Sequence, residues 1–328
     1  MKKMLMAAGM AAVMTACGTA GQKAATDAGN PFLAEYSTPF GVPPFDLIKI
    51  EHYKEAFLKG MEEQKKEIDA IVNQRSVPDF DNTIAAFDQS GELLNKVSTV
   101  FSGLNSCNTN DEMQAFNKEI TPLLSAHRDD ISLNPALFAR VKEVYERREK
   151  LGLDKEQNKL LEETYKKFVR GGANLDSVDQ AKLRQLNSEI SMLQLTFGQN
   201  LLKETNAFEL VIDKKEDLAG LPESLVASAA EAAKGAGMEE KWLFTLHNPS
   251  VMPFLQYADN RELREKIFKG YINRGNNGNE ADNNEIVKKL VALRLEKAKL
   301  MGYADYASFI LEDRMAKNEE NVYRLLNQ

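Results

Sequence analysis

Only three histidines and two cysteines occur among 328 residues, and that scarcity excludes a good deal. His52, His127 and His247 stand too far apart to form the H-E-x-x-H pair that puts two imidazoles on one helix face around a metal. The nearest approach to the inverted form, H-x-x-E-H, begins at His52 and fails at Ala56, where a second histidine is needed. Two cysteines, Cys17 and Cys107, leave little room for a disulfide framework. Cys107, in Ser106-Cys107-Asn108, has no neighbouring base that would activate a thiol, and we read it as structural. Prolines number ten, too few to interrupt long helical patterns. No long basic cluster is present and the net charge is −7, so nothing in the charge pattern points to nucleic acid. The phosphate-binding loop, the dinucleotide glycine fingerprint and the G-x-S-x-G nucleophile elbow are all missing. An Asn/Gly loop at 273–284 has the outline of a calcium loop. Placing Gly278 at the loop glycine leaves Asn273, Gly275 and Asn284 where acids are needed, which argues against calcium.

Long hydrophobic runs are equally scarce. The one at residues 4–14 is too short to cross a bilayer, which takes roughly 20 apolar residues. It follows Lys2-Lys3 and ends in Met14-Thr15-Ala16-Cys17. That order matches a lipoprotein signal peptide over residues 1–17, with Cys17 as the lipidated mature terminus. The Gly/Ala/Thr-rich residues 18–29 then read as a flexible tether. Gly18, rather than an acid, follows the cysteine, so the expected location is the cell envelope, at the outer membrane facing the periplasm.

What is present is helix after helix. With 43% apolar residues the chain can bury a substantial core. Phe57, Met61, Ile68 and Ile71 line the first helix; Asp81 opens a second with the stripe Leu93, Val97, Val100 and Leu104; a third follows Asn110. Asn134-Pro135 is a cap followed by proline at the first helical position, and Asp154 with Gln157 forms a capping box. Residues 178–205 carry a stripe over seven turns, which predicts packing along the whole helix. Alternating segments at 208–212 and 242–246 predict one small strand pair, with a helix over 222–234 between them. Asp259 and Glu262 read as a capping box for the next helix, and Ile286, Leu290, Leu293 and Leu300 stripe another that stops at Gly302. Asn318 starts an apolar face at Val322, Leu325 and Leu326. His127 reads as a partly buried imidazole paired locally with Asp or backbone. The fold class is therefore mainly α, with residues 30–328 as one helical region.

The wording of several segments is more specific than their periodicity. DNTIAAFDQSGELL at 81–94, LLSAHRDDISLNPALFARV at 123–141, FVRGGANL at 168–175, AGLPESL at 219–225 and the block 248–309 occur in this order. Together they resemble the zinc metallopeptidase family of peptidyl-dipeptidases, oligopeptidase A and thimet oligopeptidase, over residues 30–328. The resemblance implies an elongated, mostly helical body, half of a two-lobed fold split by a channel with zinc on its floor. It implies a peptidase that releases dipeptides from the carboxyl end of short, unfolded oligopeptides. This chain would supply channel wall and scaffold. Catalytic and metal residues fall to none of its positions, and zinc would belong to the complete protein, supplied by a missing carboxyl-terminal half. The alternative is a non-catalytic helical lipoprotein serving as a peptide-binding or scaffold module.

Overall fold

The structure, a computed structural model, describes residues 29–328. The expected signal peptide at 1–17, the expected lipidation residue Cys17 and nearly all of the expected tether lie outside the described residues. The fold is 69% helical, with one small sheet among the described residues. Among the described residues no helix is long and apolar enough to cross a membrane.

Local chemistry sets most helix starts. Helix α1 (Ile50–Val72) is followed by a π-helical turn, Phe80–Ala85, which runs into the short α2 (Ala86–Asp88). The opening cap is Asp79 rather than Asp81: its carboxylate accepts from Asn82 N, and the Asn82 side chain accepts from Asp79 N. The expected single second helix is also split. Gly91 adopts φ +79°, and a new helix, α3 (Glu92–Cys107), begins after it. Asn110 caps α4 (Asp111–Ser132), and Asn134 caps α5 (Pro135–Glu146) by accepting from Ala136 N and Leu137 N. The Asp154–Gln157 capping box opens α6 (Lys155–Arg170) as expected. Asp176 caps α7 (Ser177–Ala207).

β1 (Leu210–Ile212) and β2 (Trp242–Phe244) pair antiparallel, with Val211 opposite Leu243. Helix α8 (Glu223–Gly235) lies between them in sequence, and α9 (Asn248–Tyr257) follows. For α10 (Arg261–Ile272) the cap is Asn260, not Asp259; its side chain accepts from Glu262 N and Leu263 N. α11 (Asn284–Leu300), α12 (Tyr306–Leu311) and α13 (Glu319–Leu326) complete the chain, with Asn318 capping the last.

Three apolar clusters hold these elements. The first joins α1, α3 and α4 through Tyr53, Phe57, Phe101 and Phe116, whose rings meet at 5.1–6.4 Å between centroids. The second joins the carboxyl end of α1 to α5 and α6 through Ile68, Leu137, Val141 and Leu161. The third surrounds the strand pair, with Phe244 against Phe254 at 4.7 Å. Helix α7 lies along α4 and α11. It packs against them along its length, with contacts from Asn187 to Asn200, but its apolar stripe is fully buried only at Leu183 and Leu186. Ile190, Leu193, Phe197 and Leu201 stay half-buried.

Candidate functional site

The chemistry-bearing residues form groupings in three places, around His127, Asp129 and Glu204, and His52, His247 and Cys107 stand apart from all of them. His52 sits in the first turn of α1, where its Nδ1 accepts from Lys49 N at 3.0 Å. His247 precedes α9 and is exposed; Nδ1 meets Thr245 Oγ1 at 3.0 Å and Nε2 meets Asn206 Oδ1 at 3.1 Å. Cys107 is exposed at the end of α3, its thiol donating to Gly103 O, so its structural role is a local helix-end bond and not core packing.

His127 is 5% exposed on α4, and its partner is not local. Nε2 lies 2.7 Å from Oε1 of Gln64 on α1. The Gln64 amide nitrogen faces the backbone oxygen of Ser90 at 3.4 Å, which fixes Oε1 as the acceptor and the imidazole as the Nε2–H tautomer. Nδ1 is buried without a partner among the described residues. Burial, and then the charge of Lys65, hold this imidazole below its ordinary pKa against the opposing pull of Asp130. His127 is thus a neutral, positioned side chain. A Cβ added at Gly91 would stand 2.3 Å from the Gln64 side chain, so glycine there protects the pair as well as the turn.

The second place is the seam along α7. Asp129, 5% exposed on α4, accepts from Asn187 Nδ2 at 2.8 Å, and Asn187 Oδ1 accepts from Lys297 Nζ on α11 at 2.6 Å. Burial raises the Asp129 pKa, with the Asn187 bond and the nearby cations Arg184, Lys297 and Arg128 only partly offsetting it. Burial likewise lowers that of Lys297. Ser125 faces Ser191, Gln199 donates to Gln114, and Asn200 donates to Asn283 in the same seam.

The third place is the Asn/Gly loop. Glu204, 8% exposed at the end of α7, accepts from Gly275 N, from Asn277 Nδ2 at 2.9 Å and from Asn279 Nδ2 at 2.7 Å. Burial works to raise its pKa, but these three donors outweigh it and the net shift is downward. The loop is therefore organised around a protein carboxylate, and its asparagines turn their donors to that group. That arrangement gives the loop a reason other than calcium.

Among the described residues no group of three His, Cys, Asp or Glu side chains is placed to hold a metal ion. The donors present therefore do not fit a zinc centre, since each histidine is committed on a different element. Gln64, Asn187, Lys297 and Glu204 escaped the sequence reading. Each is an ordinary residue on a helix, and only Glu204, three residues behind Leu201 on its helix, left a signal: an acid on the apolar side of a striped helix.

Comparison with known proteins places the chain. Peptidase family M3 matches residues 254–328. The dipeptidyl carboxypeptidase of Escherichia coli (strain K12) is 40% identical over 299 residues, 91% of this chain and 44% of that protein. The chain is related to peptidase family M3. Oligopeptidase A of Haemophilus influenzae is 29% identical over 293 residues, covering 88% of this chain and 42% of its own length. Saccharolysin of Saccharomyces cerevisiae is 24% identical over 254 residues, 76% of this chain and 34% of its own. The chain spans less than half the length of these relatives, and the aligned part is their amino-terminal half.

Proposed function

We propose that this chain is the amino-terminal part of a zinc-dependent metallopeptidase that releases dipeptides from the carboxyl end of oligopeptides. The observation that carries this reading is the 40% identity over 91% of the chain to a dipeptidyl carboxypeptidase. In it, the helical body supplies wall and scaffold for a peptide channel, and zinc is held by residues outside this chain. An apolar row on α11, with Val287, Val291 and Leu295 exposed at four-residue spacing, supports a further apolar partner surface, as do exposed Leu325 and Leu326 on α13. The natural occupant in this reading is the carboxyl-terminal half of the same protein. The same reading makes Cys17 the lipid anchor and the outer membrane, facing the periplasm, the location. Its support is the order Lys2-Lys3, apolar core, Met14-Thr15-Ala16-Cys17.

The test joins the chain to the carboxyl-terminal part of the Escherichia coli relative and follows dipeptide release from an amino-blocked oligopeptide, with and without a metal chelator. Chelator-sensitive release by the fusion, and none by this chain alone, is the expected result. A fusion that folds cooperatively and releases nothing, or release by this chain alone, counts against the reading. For the anchor, a palmitate analogue should label the wild type and leave Cys17→Ser unlabelled; equal labelling rejects it.

A further inference from the structure

A cleft of about 410 Å³ opens between α1, α2, α3, α4 and α6. That volume is in the range of small-molecule sites. Its walls are apolar: Phe87, Leu94, Leu124 and Phe168 contribute from four different elements. Its two charged lining residues are Arg128 and Lys167, both exposed, one on α4 and one on α6. No acidic side chain lines it. The acids nearby are engaged elsewhere: Asp130 pairs with Lys65 at 3.3 Å and with Arg184 at 2.8 Å, and Glu67 accepts from Gly91 N at 2.7 Å. Arg128 and Lys167 form no ion pair among the described residues, and His127 in the lining is bound to Gln64.

We propose that this cleft binds a small apolar monocarboxylate, its hydrocarbon body against Phe87, Leu94, Leu124 and Phe168 and its carboxylate between Arg128 and Lys167. Two cations that form no ion pair among the described residues, beside an apolar and acid-free wall, complement an anion with a greasy tail. They do not complement a zwitterion, whose ammonium would find no acid to meet. A free dipeptide is therefore a poor occupant, which separates this site from the products of the proposed peptidase reaction. The proposal stands or falls independently of that reaction, because it rests on the cleft alone.

The experiment titrates the chain with 4-phenylbutyrate, 4-phenylbutanamide and 4-phenylbutylamine by isothermal calorimetry. These probes share one skeleton and differ in the charge of the end group. The carboxylate is expected to bind one to one, at least about tenfold more tightly than the amide, with the amine weakest. Arg128→Ala with Lys167→Ala should bring the carboxylate down to the affinity of the amide. Both side chains are exposed, so the fold should survive, which thermal melting checks. Leu124→Trp, which fills the cleft, should abolish binding of carboxylate and amide alike. Equal affinity for the three probes, no saturable binding of the carboxylate, or unchanged carboxylate affinity in the double variant would each overturn the proposal.

Discussion

The aromatic cluster of α1, α3 and α4 and the polar seam of α7 lie on opposite sides of α4, and they are built from opposite materials. Phe57, Phe101 and Phe116 bury rings against one another, and an apolar side chain of that size stabilises by about 1.5–3 kcal/mol when fully buried. The seam instead joins buried Asp129 to half-buried Asn187 and Lys297, where desolvation consumes much of what the bonds return. Apolar contact tolerates sliding, whereas a chain of bonds across three helices tolerates very little. The cluster supplies stability; the seam fixes where α7 and α11 stand relative to α4.

The sharpest way to break this contrast is Phe57→Ala. Phe57 is fully buried and touches three rings, so the loss should be about 3–5 kcal/mol, read as a fall in the denaturant midpoint. A loss under about 1 kcal/mol would mean that the cluster is not the stabilising element. Lys297→Met comes next. It removes the donor to the oxygen of half-buried Asn187 and should cost about 1 kcal/mol. Combining it with Asp129→Leu should cost less than the sum of the two single changes, because the buried charges then disappear together. Strict additivity would show that the seam does not act as one network.

A smaller effect concerns pH. Burial depresses the folded pKa of His127, so the neutral form is favoured in the fold. That preference costs nothing above the unfolded value of about 6.5 and becomes a penalty as pH falls below it. Melting temperature should drop between pH 7.5 and 5.5, and the drop should shrink in His127→Gln. Asp129, with a raised pKa, responds in the opposite sense, so the difference between wild type and variant is the quantity that reports on His127. An identical drop in both would remove His127 from the account. Least of all should come from Lys182→Ala at the rim of the seam, whose pair with Glu296 at 2.9 Å is half exposed; no change in melting is expected.

Helix starts were legible in the chain itself wherever the cap and the amides it satisfies sit within three residues. Asn110, Asn134 and Asp154 act where the sequence puts them, since capping needs no distant partner. Where two neighbouring acids or amides compete, as Asp79 with Asp81 and Asp259 with Asn260, backbone geometry selects the cap, Asp79 in one case and Asn260 in the other, and local sequence does not distinguish them. The strand pair and the stripe of α11 were also readable, from alternation and helical spacing. The likeness to peptidase family M3 lay in the order of several segments, each weak alone.

Tertiary structure decided everything that joins distant positions. His127 meets Gln64 across 63 residues, Asn187 meets Lys297 across 110, and Glu204 gathers the Asn/Gly loop across more than 70. Side-chain polarity along one helix shows that a group must be satisfied when buried, but not by what. The partner is fixed only when the packed helices bring another element within about 3 Å, and that registration depends on the whole set of core contacts rather than on any local stretch.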